Sequence, residues 1–330
     1  MAETVHRAAE QDSPWPHRLA LLTTVATFPL LFVGGLVTST GSGLAVPDWP
    51  TTFGYNMFLY PWSRMVGGIL YEHSHRLIGS AVGLLTIALA LVLWRKESRP
   101  WLRWLGVVAL GAVIAQGVLG GLRVVLLQQT LAIIHACCAQ AFFALTASLT
   151  LFTSAEWKER PVKKLTSDAG RVQRLGLLTV GFIYLQLVCG AVLRHTGEWL
   201  DMHLLGAALV AIHVLLLAAR VCRNQADLPV LIRSATHLRS LLVLQLGLGL
   251  GAYLGKFTVS GAFLNPFVVV LATSHVVVGA LLLVTCVLLT LRAYRLLDPL
   301  QPAVRLIQTP IPLKRELKAE QVPVVQTTSR

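Results

Sequence analysis

Charge is what this 330-residue chain has least of. Charged residues make up only 13% of it, about half the usual share of a soluble domain. That deficit excludes an ordinary soluble enzyme and a disordered chain. Acidic residues are scarcer still, 15 against 28 Lys and Arg, for a net charge of +13. Cysteine is rare, with five residues, none before Cys137 and no C-x-x-C. A disulfide scaffold and a cysteine zinc site are therefore excluded, and Cys137, Cys138, Cys189, Cys222 and Cys286 read as small apolar packing residues.

What is abundant is apolar sequence, 55% of the chain. Eight runs, near 18–38, 74–94, 104–122, 130–153, 174–194, 202–222, 238–256 and 266–291, are long enough to cross about 30 Å of hydrocarbon. Lipid cannot satisfy open backbone groups, so each is expected to be helical. The fold expected is an all-α membrane protein of eight transmembrane helices in two pseudo-symmetric four-helix bundles. All but five of the 28 basic residues fall at the N-terminus, near 95–103, 154–174 and 220–239, or at the C-terminus. The positive-inside rule then puts both termini in the cytoplasm. The basic charge is topological, and no nucleic-acid partner is expected.

The domains expected are a cytoplasmic segment 1–17, a first bundle 18–153, a cytoplasmic linker 154–173, a second bundle 174–292 and a disordered cytoplasmic tail 293–330. Residues 39–72 form one long outer loop dense in Gly, Pro and aromatics, and loops of that length are usually functional. The first run starts late and lacks a clear cleavage site, so it is not expected to be a signal peptide.

The two halves echo each other. Gly35 before Leu36-Val37 matches Gly190 before Ala191-Val192, and His75 matches His203. Gln116 and Gly120 match Gln245 and Gly249, and Leu131-Ala132-x-x-His135 matches Leu271-Ala272-x-x-His275. Partners lie four helices apart, so the repeats run parallel.

His75, His135, His203 and His275 all fall in the outer halves of even-numbered runs. Ionisable groups inside a membrane are costly and usually functional. One histidine on each of two facing helices can supply both axial ligands of a haem. Two pockets are therefore expected, His75 with His135 and His203 with His275. His73 falls on another face of its helix, His213 about 15 Å deeper than His203, His237 among basic residues and His195 at an outer edge. His6 and His17 are expected to be solvated.

The pockets differ in one group. Glu72 precedes His75 by three residues and shares its helical face, whereas Leu200 holds the matching place before His203. A carboxylate beside a reacting centre can take a proton or stabilise a cation; pairing of Glu72 with Arg76, four residues on, is the structural alternative. Arg76 and Arg123 near the first pocket, and Arg194 near the second, could pair with haem propionates or act as interfacial anchors.

The stretch Gly34-Gly35-Leu36-Val37-Thr38-Ser39-Thr40-Gly41-Ser42-Gly43-Leu44, then Pro47-Asp48-Trp49-Pro50 and Glu72-His73-Ser74-His75-Arg76, resembles the haem A synthase family. So do Arg194-His195-Thr196 and Leu271-Ala272-x-x-His275. The resemblance runs over about residues 18–292. It implies an oxidoreductase that converts the C8 methyl of haem O to the formyl of haem A for cytochrome oxidase, with water as oxygen source. It implies that His203 and His275 hold a haem b cofactor, that His75, His135 and Arg76 bind the substrate haem, and that Glu72 is the catalytic carboxylate. Implied partners are haem O, haem O synthase, cytochrome oxidase assembly factors, the lipid bilayer and an unidentified electron acceptor, with a homo-oligomer open. A bacterial plasma membrane is the expected location.

The chain departs from that family in two places. Ala45-Val46-Pro47-Asp48 stands where many members carry a cysteine pair, so a thiol mechanism is excluded, and Leu204 follows His203 where arginine is common. Two other classes account for part of the pattern. A dihaem b-type electron carrier linked to quinone explains four histidines but not a carboxylate on one side. A transporter of parallel repeats should carry glycine and proline breaks near the midplane, where these runs are expected to be free of proline.

Overall fold

The computed structural model describes residues 13–159, 161–258 and 265–300. Eight long helices account for most of them: α1 (Trp15–Ser39), α2 (Gly68–Lys96), α3 (Pro100–Val125), α4 (Gln129–Thr153), α5 (Ala169–Thr196), α6 (Leu200–Asn224), α7 (Pro229–Thr258) and α8 (Pro266–Leu296). Each is long and apolar enough to span a bilayer. The chain is an all-α, multi-pass membrane protein.

Local chemistry sets the helix ends. Proline opens α3, α7 and α8, where its missing N–H is no loss. Asn265 caps α8 by accepting from Phe267 N–H at 2.9 Å. Gly197, in the left-handed conformation at φ 80°, closes α5, a position that favours glycine. Only Gly197–Trp199 separate α5 from α6.

The helices outrun the apolar stretches that announced them. α2 starts at Gly68 rather than near 74, and α7 at Pro229 rather than near 238. Hydropathy drops where a helix leaves the hydrocarbon, but the hydrogen-bonded ladder continues through Arg233, His237 and Arg239. α8 runs to Leu296, and Leu297–Pro299 (β2) then pairs in parallel with Lys164–Thr166 (β1) of the 154–173 segment. Of the expected disordered tail, residues 301–330 lie outside the described residues, as do 1–12 of the N-terminal segment. The expectation of proline-free midplanes fails for α1, which carries Pro29 in its interior yet continues through it.

α1 packs on α2, α2 on α3, α3 on α4, and α4 back on α1. The chain of contacts from α5 through α8 closes in the same way, α8 on α5. α1 and α4 both meet α8, and α4 meets α5. Leu89, Leu93, Leu102 and Leu149 fill the first ring, and Val214, Leu217, Leu231, Leu238 and Leu289 the second. Leu31, Phe143, Ala147, Ala280 and Val284 pack where the rings meet. These apolar fillings lie toward the basic ends of the helices. The histidines occupy the opposite ends, where the core turns polar.

Candidate functional site

The structure brings the four histidines together as two pairs. His75 of α2 and His135 of α4 have ring centroids 6.4 Å apart, and His203 of α6 and His275 of α8 have centroids 6.2 Å apart. An imidazole nitrogen binds a metal at about 2 Å, with its ring centre roughly 1.1 Å behind, so two imidazoles sharing one ion stand about 6.2 Å apart. Both pairs match that spacing. Among the described residues no group of three or more His, Cys, Asp or Glu gathers as a metal cluster. The donor set thus suits a metal that brings its own equatorial ligands, as a haem does.

A glycine faces each imidazole from the preceding helix. A Cβ at Gly34, Gly120, Gly190 or Gly249 would stand 2.8, 3.2, 2.9 or 2.8 Å from the Cε1 of His75, His135, His203 or His275. The glycine at His75 is therefore Gly34. Gly35, matched to Gly190 from sequence, meets Thr273 of α8 instead.

Four residues before the glycine, a glutamine recurs. Gln116 Nε2 donates to the His135 carbonyl at 3.1 Å and Gln186 Nε2 to the His203 carbonyl at 2.8 Å. Gln245 reaches His275 twice: its side-chain Nε2 lies 3.4 Å from His275 Nε2, and its main-chain carbonyl lies 3.1 Å from His275 Nδ1. An Nδ1–H donated to that carbonyl leaves Nε2 with its lone pair for a metal. Sequence reading singled out two of these glutamines and missed Gln186, although Gln-x-x-x-Gly recurs at 116–120, 186–190 and 245–249. In α1 the place is taken by Leu30.

Glu72 is buried, at 4% exposure. Its Oε1 accepts from Arg76 Nη2 at 3.0 Å and its Oε2 from the Val46 N–H at 2.9 Å. The pairing with Arg76 raised as an alternative is thus present. It also does more than join two residues on one helix. Arg76 donates to the carbonyls of Val46, Asp48 and Thr51 at 2.9, 2.7 and 3.0 Å, so Glu72 and Arg76 together clasp the outer loop.

Other loop contacts converge there. His73, on the face away from the pair, has Nδ1 3.1 Å from Thr52 Oγ1 and packs against Tyr60. Asp48 accepts from Thr51 Oγ1, Phe53 N–H and Gly54 N–H at 2.5, 2.7 and 2.9 Å. Partial burial by itself would raise the Asp48 carboxyl, but those hydrogen bonds outweigh it and hold it below the usual 3.8. The Trp49 ring lies where a side chain on Gly121 of α3 would stand.

Two further arginines sit by the pairs without a carboxylate bonded to them among the described residues. Arg123 donates to the Gly43 carbonyl and lies within electrostatic reach of His75, His135 and Glu72. Arg194 joins α5 to α1 and α8 through the carbonyls of Gly35 and Ala272 and the Ser39 hydroxyl, at 2.7, 3.3 and 2.6 Å, within electrostatic reach of His275. Half-buried cations bonded only to neutral oxygens suit an anionic ligand such as a propionate.

The remaining histidines do other work. His213 Nδ1 meets the Leu209 carbonyl at 2.8 Å and its ring packs on Phe182. His17 corrects an expectation: it is half-buried in α1 with Nδ1 3.1 Å from the Thr150 carbonyl of α4, because α1 begins at Trp15. His6 lies outside the described residues.

A family model described as COX15-CtaA, cytochrome oxidase assembly protein, matches residues 17–202, more than half of the chain. Among curated proteins, one named Heme A synthase from Shouchella clausii is 32% identical over 189 residues, covering 56% of this chain and 60% of that protein. Proteins of the same name from Bacillus pumilus and Geobacillus kaustophilus are 31% and 26% identical over 190 and 240 residues, covering 54% and 64% of this chain and 59% and 74% of theirs. The matched region spans about three-fifths of the first of these relatives.

Proposed function

Because the chain belongs to the COX15-CtaA family of cytochrome oxidase assembly proteins, we propose that it is a haem A synthase. Its reaction oxidises the C8 methyl of haem O to a formyl group. Two successive two-electron oxidations take the methyl through an alcohol to the aldehyde, with water supplying the oxygen and the protons leaving to solvent. The observation that carries this reading is the duplication of histidine pairs at 6.4 and 6.2 Å, with a buried carboxylate, Glu72, one helical turn before the histidine of the first pair and Leu200 at the matching place in the second.

In this reading residues 18–153 hold the substrate and residues 174–292 the cofactor. His75 and His135 bind haem O. His203 and His275 would hold haem b, which supplies a one-electron relay toward the acceptor. Arg123 on the first side and Arg194 on the second are placed to meet propionates. Arg76 is engaged with Glu72 and three loop carbonyls, so its part in substrate binding is better supported as shaping the pocket's outer wall.

Glu72 is the group that distinguishes the pockets. It stands one turn outward of His75, and each of its oxygens has one donor and capacity for another. A fixed anion there stabilises positive charge developing at the methyl carbon and receives a proton from it. Arg76 and the Val46 N–H hold the carboxylate so that it does not reorganise as charge develops. Residues 39–72 carry no thiol, so in this reading the carboxylate takes the acid–base role.

The protein acts in a bacterial plasma membrane with both termini in the cytoplasm, placing both pairs near the external leaflet. Co-expression with a haem O synthase, followed by haem extraction and chromatography, tests the activity. Haem A is expected in the wild type. Haem O alone, with both pockets loaded, would leave the dihaem electron carrier as the better reading.

A further inference from the structure

An arginine cluster stands at the end of the second ring opposite the histidines, where the haem reading makes no use of it. Arg171 and Arg174 of α5 and Arg220 and Arg223 of α6 line a cleft of about 450 Å³ between the two helices. Asp168 is engaged by Arg220 at 2.7 Å and by Asn224 at 2.8 Å. Among the described residues no carboxylate bonds Arg171, Arg174 or Arg223. Arg174 and Arg223 each donate to a carbonyl one turn back on their own helix, Gly170 at 3.0 Å and Ala219 at 3.4 Å.

The two walls of the cleft change character at the same depth. On α5, arginine at 171 and 174 gives way to leucine at 175 and 178, all on one helical face. On α6, which runs the opposite way, arginine at 223 and 220 gives way to Leu216. The change takes seven residues on each helix, about 10 Å of rise. Leu178 and Leu216 are 56% and 53% exposed, so this end of the cleft opens sideways onto hydrocarbon. A soluble anion needs no such floor. A phospholipid does: guanidinium groups meet its phosphate, and leucines one to two turns deeper meet its acyl chain.

The repeat does not account for the cluster. Counted from the matched pairs Gly34–Gly190 and His75–His203, the four arginine places fall in the first half on Trp15, Arg18, Val92 and Arg95. Topology asks for basic residues at this end of both halves; four in one cleft is a property of the second half alone. We propose that the α5–α6 cleft binds an acidic glycerophospholipid from the leaflet opposite the histidine pairs. Its phosphate lies among Arg171, Arg174 and Arg223, and an acyl chain runs along Leu175, Leu178 and Leu216. Arg220 stays with Asp168 and ties α6 to the start of α5.

The test titrates the full-length protein in neutral detergent with phosphatidylglycerol or phosphatidylcholine and counts bound lipid by native mass spectrometry. The first phosphatidylglycerol should bind about tenfold or more tightly than phosphatidylcholine, and Arg171→Gln with Arg223→Gln should remove that preference, at several-fold for each basic residue. Arg18→Gln with Arg95→Gln removes the same charge from the matching place in the first half and should leave the preference within about twofold. Leu178→Glu keeps every arginine and sets an acid in competition for them; it too should weaken the first phosphatidylglycerol, with helicity unchanged. Equal losses from the two arginine pairs would show that net charge, not the cleft, attracts the lipid, and would overturn the proposal. So would an unweakened Leu178→Glu, or displacement of the lipid by inorganic phosphate at the same concentration, which would make the cleft a free-anion site.

Discussion

The outer ends of the two helix rings are built on one plan and finished differently. Over the first, residues 43–60 fold down onto α2 and α3 through Glu72, His73, Arg76, Gly121 and Arg123. Over the second, α5 and α6 are joined by three residues. Inside, the two are alike: each imidazole is faced by a glycine of the preceding helix, and Gln116, Gln186 and Gln245 reach His135, His203 and His275. A site closed from outside, with a carboxylate in the wall, suits a molecule that must arrive, react and leave.

The strongest way to break this comparison is to remove the histidines singly. His203→Ala or His275→Ala should abolish one six-coordinate haem signal and leave the other, and His75→Ala or His135→Ala should do the reverse. Optical and electron paramagnetic spectra of purified protein check it. Loss of both signals in every variant would mean that the pairs are not separate sites. Next comes Glu72. Glu72→Gln keeps the size and one acceptor but not the charge. It should leave both haem signals in place and cut haem A formation about a hundredfold or more, on the scale of acid–base groups. Unchanged haem A formation would remove the one chemical distinction between the pockets.

Glycine substitutions sharpen the comparison at smaller cost. Gly249→Ala puts a methyl 2.8 Å from the His275 ring, and Gly34→Ala does the same to His75. Overpacking of this kind costs about 1–3 kcal/mol. The approach is equal at the two rings, so each substitution should weaken haem binding in its own pocket by a similar amount and leave the other pocket's signal intact. Loss of both signals from one substitution would argue that the two pairs are coupled.

How much of this was legible beforehand depends on how far apart in sequence the partners are. The eight helices follow from local composition, because about 20 apolar residues in a row have few alternatives in lipid. Their ends do not: Arg233 and His237 look like a loop by hydropathy and are helix. The histidine pairs were legible because repetition did the work of an alignment. The same repetition holds Gln186, four residues before Gly190 as Gln116 and Gln245 stand before Gly120 and Gly249, but aligning Gly35 rather than Gly34 with Gly190 hides it. The clasp on the loop was out of reach. Val46 and Glu72 are 26 residues apart, and no periodicity announces that a loop N–H will bond a helix carboxylate. Glu72 drew notice for its spacing to His75; that it also organises the loop is a tertiary fact.

The smallest effect concerns the loop's own scaffold. Asp48 gathers Thr51, Phe53 and Gly54 around its carboxylate, and the turn it makes presents the Asp48 and Thr51 carbonyls to Arg76. Its folded pKa lies below the ordinary 3.8, so the native loop binds that proton less readily than the unfolded chain does. The stabilisation is fully present above about pH 4 and is lost as pH falls through the lowered folded value. Asp48→Asn keeps one acceptor oxygen and removes the charge. It should mimic acid at neutral pH, raising loop proteolysis or amide exchange around 46–54 modestly and leaving the second pocket's spectrum untouched. In wild type the protection of these amides, corrected for the intrinsic pH dependence of exchange, should stay flat from pH 7 to 5 and fall only below about 4. Loss of protection already at pH 6 would point to the histidine beneath the loop, His73, in contact with Thr52, as the group whose protonation loosens it.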